Sequence, residues 1–183
     1  MRAKTILPLV FGALLAVEFA ARHAERAAAV VAYEPPYMAV AGPELLARLG
    51  SVGDAVAAAF ARGGPAPAAE LFVRAVAGDE YWDRLPAAQR AALRVEGSGA
   101  LADTSMADLA PAGLARIACP VVLATGGASD PFYAPLADAL AALIHGSRRV
   151  SLPGLRHVAP ITDPTPVAAL IRDALEGDVP AAR

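Results

Sequence analysis

Several things are scarce in this sequence, and each scarcity excludes something. Cys119 is the only cysteine in 183 residues, so no internal disulfide can form and the disulfide-stapled secreted class is disfavoured. Lys4 is the only lysine, and the remaining basic charge comes from scattered arginines. With a formal net charge of -2 and no densely basic stretch, the chain has no electrostatic footprint for nucleic acid. No apolar run reaches the roughly 20 residues needed to span a bilayer. The longest, Ile6 to Val17, follows Arg2 and Lys4 much as the apolar part of a signal peptide follows its charged part. Glu18, Arg22, His23, Glu25 and Arg26 then end it, and no small-residue cleavage site follows. The expectation is a cytoplasmic chain with no membrane partner, and an exported small helical protein is the competing reading. Metal-ligand spacing, a P-loop and a G-x-G-x-x-G fingerprint are also missing, and Gly126-Gly127 alone does not make a nucleotide loop. The expectation is therefore no cofactor and no metal.

What is present concentrates in the last third. Pro120 to Thr125 reads as a buried strand, followed by Gly126-Gly127-Ala128-Ser129-Asp130. Arg148 to Leu152 reads as a second strand, followed by Pro153-Gly154-Leu155-Arg156-His157. A helical stretch, Pro135 to Ile144, lies between them, so the unit is β–α–β. Asp130 and His157 then both fall just beyond the carboxyl ends of parallel strands, where open α/β sheets keep their sites. Asp130-Pro131 is also an ordinary turn signal.

Earlier in the chain, Gly12 to Ala24 has helical periodicity, with Leu14, Leu15, Val17 and Phe19 among alanines and with Glu18 and Arg22 placed outward. Ala27 to Tyr33 fits a buried parallel strand, stopped by Glu34-Pro35-Pro36 because proline cannot continue a helix. The middle contains only helical patterns: Pro43–Leu49, Gly53–Ala61, Ala66–Ala77 and Pro86–Glu96. Gly63-Gly64-Pro65, Gly78-Asp79 and Gly97-Ser98-Gly99 punctuate them. A final helix, Val167–Leu175, follows Asp163-Pro164-Thr165-Pro166 and stops at Gly177. The division expected is 1–42, 43–115 and 116–183, within the length of a single domain.

In this order the pieces resemble the C-terminal part of a lidded, esterase-like α/β-hydrolase. Phe11 to His23 resembles the end of the nucleophile elbow and its helix, and Val30 to Pro36 the next strand. Gly127-Ala128-Ser129-Asp130 resembles the acid turn, and Pro153 to His157 the histidine loop. The likeness runs from Phe11 to about Leu175. It implies an α/β fold of three to four parallel strands flanked by helices, with a helical lid over 43–115. It also implies ester or acyl hydrolysis of a small molecule through a Ser-His-Asp triad, with Asp130 as acid, His157 as base and the Phe11 N–H as one oxyanion donor.

The sequence departs from that family where the serine belongs. The nucleophile position holds Val10, which has neither a proton to lose nor a lone pair, and the first elbow glycine is replaced by Pro8. The strand that would supply the second oxyanion donor is not in the chain, and Thr5-Ile6-Leu7 leaves only a remnant of the strand before the elbow. The expectation is a truncated or catalytically impaired form. The alternative is a non-enzymatic remnant that self-associates or completes its sheet with another chain through an exposed edge at 5–7.

Other residues carry weaker signals. Glu34 follows a strand and is an alternative acid, although its Pro-Pro context favours a structural turn. Arg156 puts a cation beside His157. His23 and His145 read as solvated helix ends, and Cys119 as core. Phe72, Tyr81, Trp82, Phe132 and Tyr133 fit either an apolar pocket under the lid or ordinary core packing.

Overall fold

The computed structural model describes residues 11–95 and 113–176. The chain divides into two compact units, Met1–Val40 with Leu109–Arg183, and Ala41–Asp108. In chain order the main elements are α1 (Phe11–Arg22), β1 (Val30–Tyr33), α2 (Pro43–Gly63), α3 (Pro65–Ala77), α4 (Asp79–Arg84), α5 (Ala87–Val95), β2 (Val121–Gly126), α6 (Tyr133–Leu143), β3 (Arg148–Leu152), α7 (Ala159–Thr162) and α8 (Pro164–Glu176).

The first unit is the α/β part. Its three described strands form one parallel sheet in the order β1-β2-β3, with Tyr33 opposite Ala124 and Gly126 opposite Leu152. Parallel pairing sends all three carboxyl ends out on one side of the sheet, which gathers loops distant in sequence. Every residue of β1 is buried, as are Val121 to Thr125 of β2, the pattern of strands covered on both faces. Val31, Tyr33, Val122 and Ala124 pack with Ala159 of α7 and with Val167, Leu170 and Ala174 of α8. Full burial of each large apolar side chain contributes about 1.5–3 kcal/mol. α1 packs against β1, and α6 against β2 and β3. β3 is only half-buried. Its Arg149 reaches Asp138 at 2.7 Å and donates to the Leu123 carbonyl at 2.7 Å, putting charge along that strand.

Glu18 corrects an expectation. It does not point outward from α1 but is buried, accepting the Tyr37 hydroxyl at Oε1 and pairing with Arg22 at 3.0 Å through Oε2. The two donors offset the desolvation of the carboxylate. Burial first, then the bond to Glu18, push the Tyr37 pKa up, so the phenol remains a donor.

The second unit is wholly helical among its described residues. Where the sequence suggested two helices there is one, α2, running through Gly50 and Gly53. Each glycine costs about 1 kcal/mol relative to alanine. Packing prevails, because Val56 and Ala59 of this helix build the unit's core with Ala68, flanked by Val52, Phe60, Leu71 and Phe72. Gly64 and Gly78 sit at breaks the sequence marks, with φ of 75° and 93°, values that favour glycine. The short α4 was not foreseen. It buries Trp82, with the guanidinium groups of Arg74 and Arg94 at 5.9 and 5.3 Å from the ring centroid. Arg74 bonds to Glu70, Asp79 and Asp83, and Arg94 to Glu70. Arg94, then Arg74, hold the Glu70 carboxyl below its ordinary range. Phe72 and Trp82 are thus packing residues of this unit. Among the described residues no helix is long and apolar enough to cross a membrane.

Candidate active site

β1 ends at Tyr33, and the next residue turns sharply. Glu34 has φ 49°, the only positive value among described non-glycine residues. Such a conformation is strained in a long side chain and persists only where its surroundings over-determine it. They do so here. The Glu34 N–H extends the ladder to the Ala124 carbonyl at 2.8 Å. The fully buried carboxylate accepts the Gly126 N–H at 2.7 Å through Oε1 and lies 2.6 Å from His157 Nδ1 through Oε2.

His157 is held just as closely. Its loop follows β3 and is fastened to the loop after β2: Gly127 N–H donates to the Leu152 carbonyl at 2.8 Å and Ala128 N–H to the Leu155 carbonyl at 2.9 Å. The Tyr33 hydroxyl donates to the Arg156 carbonyl at 2.8 Å. Burial, then the Glu34 charge, push the Tyr33 pKa up and keep it a donor. Gly126 sits where these groups converge. A Cβ there would lie 2.4 Å from the Leu155 carbonyl oxygen and 2.5 Å from the Tyr33 hydroxyl, so only glycine fits this close approach.

A carboxylate only accepts hydrogen bonds, so the Nδ1 facing it carries the proton and Nε2 presents its lone pair. The imidazole is 5% exposed. Tyr133 lies against it, with ring centroids 4.6 Å apart, planes 12° apart and the phenol oxygen 3.2 Å from Nε2.

The carboxylate at Nδ1 is therefore Glu34 and not Asp130. Asp130 occupies the loop beyond β2 as expected, but its Oδ1 accepts the Phe132 N–H at 3.2 Å and its carbonyl accepts the Tyr133 N–H at 3.2 Å. These bonds hold the turn that starts α6. The signal for Glu34 was available in its position one residue past a strand that pairs directly with β2. Phe11 opens α1, while Val10, Pro8 and the strand remnant at 5–7 lie outside the described residues. His23 is exposed beside Phe19, and His145 is exposed. Cys119 is a free, half-buried thiol whose pKa is raised by burial. Among the described residues no cluster of His, Cys, Asp and Glu is arranged to hold a metal ion.

No family model and no curated protein matches the sequence. Solved structures do match. The enol-lactonase from Burkholderia xenovorans LB400 superposes with a TM-score of 0.66 at 21% identity, over 92% of this chain and 64% of that one. A thermophilic esterase from Thermogutta terrifontis gives 0.65 at 22%, over 92% and 63%. An acetylester hydrolase from Corynebacterium glutamicum gives 0.70 at 14%, over 94% and 61%. The chain carries part of the α/β-hydrolase fold. It spans less than two thirds of the length of these three structures. Within the α/β-hydrolase fold, the Glu34–His157 pair stands at the carboxyl ends of the parallel strands, where sites in open α/β sheets are built.

Proposed function

We propose that this chain is an impaired α/β-hydrolase for small carboxylic esters or lactones, with His157 as the proton carrier and Glu34 as its orienting carboxylate. The buried 2.6 Å contact between Nδ1 and Oε2 carries the reading. Two facts support the substrate class: the similar structures are named an enol-lactonase, an esterase and an acetylester hydrolase, and all three names imply an ester-type bond.

In this chemistry Nε2 takes the proton of the attacking O–H, Glu34 stabilises the imidazolium, and the proton then passes to the leaving oxygen. The Phe11 N–H, where the described part of α1 begins, is the donor assigned to the developing oxyanion. Val10 supplies no hydroxyl. Attack therefore falls to water, no acyl-enzyme forms, and the pair contributes about 10²- to 10⁴-fold as general base.

Stopped-flow release of p-nitrophenol from p-nitrophenyl acetate tests this. The expected trace is slow and linear, with no burst, and it returns to background in His157→Ala. A burst stoichiometric with protein, or turnover indifferent to His157→Ala, overturns the proposal.

A further inference from the structure

We propose that Ser129 is a positioning residue for His157, acting through Tyr33: its buried hydroxyl backs the phenol that holds the Arg156–His157 peptide. This rests on the reading of His157 as the proton carrier. Tyr33 and Glu34 are consecutive residues at the end of β1, and they grip consecutive residues of the loop after β3. The Tyr33 hydroxyl donates to the Arg156 carbonyl at 2.8 Å, and the Glu34 carboxylate lies 2.6 Å from the His157 ring. Glu34 therefore fixes the edge of the imidazole, whereas Tyr33 fixes the peptide plane that leads into its backbone. A ring held only at its edge would still move with that backbone.

Ser129 reaches this grip from the loop after β2. Its N–H donates to the Gly126 carbonyl at 3.2 Å, closing a turn that folds residue 129 back over Gly126. The Ser129 Oγ and the Tyr33 hydroxyl both converge there: a Cβ added at Gly126 would lie 2.6 Å from the first and 2.5 Å from the second. The Ser129 oxygen is buried and has no hydrogen-bond partner at full geometry. A buried hydroxyl in that state is costly and calls for a reason. The phenol supplies one, because an oxygen that donates its proton to Arg156 keeps lone pairs that can accept another. Burial and the Glu34 charge raise the Tyr33 pKa, and Ser129 beside it acts in the opposite direction, as a donor to the phenol oxygen does. A phenol that accepts from Ser129 donates more strongly to Arg156, so the serine tightens the hold on the histidine loop.

The test is a double-mutant cycle of Ser129→Ala and Tyr33→Phe, read by p-nitrophenyl acetate kinetics, histidine ¹H–¹⁵N spectra and thermal melts. Tyr33→Phe is expected to lower kcat about tenfold and Ser129→Ala about threefold, the scale of one hydrogen bond and of its support, with KM unchanged. Both should speed solvent exchange of the His157 Nδ1–H, which a loss of stability without a loosened imidazole would not do. The double variant is expected to match Tyr33→Phe alone, because Ser129 acts through the phenol. Losses that multiply in the double variant would overturn the proposal. Ser129→Ala with parental kcat and parental Nδ1–H exchange would overturn it too. If Tyr33→Phe fails to fold, Ser129→Ala against the parent still decides on those two readouts. Absence of His157-dependent turnover would sink the proposed activity, while the exchange rates would still judge the relay.

Discussion

β1 and β2 lie side by side, and each hands the chain to a loop bearing an acidic residue followed by proline, Glu34-Pro35 and Asp130-Pro131. Glu34 stands immediately after its strand, with a left-handed backbone that folds its carboxylate in beside Gly126. Asp130 stands four residues beyond Gly126 on a half-exposed turn and bonds to the backbone two residues ahead. Distance from the strand end and one extra methylene separate the two, although both are carboxylates at the same edge of the sheet. Residue type alone therefore does not choose the partner of the imidazole; backbone placement does.

The largest effect that would break this contrast is at Glu34 itself. Glu34→Ala leaves a buried imidazole and the Gly126 N–H without their acceptor, and is expected to cost about 3 kcal/mol by urea denaturation. Asp130→Ala removes the described side-chain bond to the Phe132 N–H and is expected to cost less, about 1 kcal/mol. Equal losses would mean that the two turns share the load. Gly126→Ala comes next, because its methyl would meet the Leu155 backbone oxygen at 2.4 Å. It is expected to cost about 1–3 kcal/mol and to displace the His157 loop, visible as loss of the Nδ1–H resonance. Tyr37→Phe is the smallest of these. It removes one of the two described donors to Glu18 just beyond the Glu34 turn, and about 1–2 kcal/mol of thermal stability should go with it.

The sheet could be read from the sequence because β2 is a continuous apolar run and its flanking loops are marked by glycine and proline. His157 could be read for the same reason, since it follows a strand by a short Pro-Gly loop. The partner of the imidazole was legible only as one of two candidates, Glu34 and Asp130, each in a loop after a strand. Glu34 and His157 are 123 residues apart, and their meeting depends on the register of β1 against β2 and on one unusual φ. Glu18 was misplaced because helical periodicity sees only its own helix, whereas Tyr37 lies in the segment after the next strand. The two glycines of α2 suggested a break that the packing of Val56 and Ala59 overrides.

The left-handed backbone at position 34 has a consequence for directed evolution. Glycine and asparagine relax into that conformation most readily, but neither carries a carboxylate, and aspartate is a methylene shorter. A saturation library at this codon screened for folding alone should enrich glycine. The same library screened for His157-dependent turnover should return glutamate, so the two screens are expected to pull one position in opposite directions.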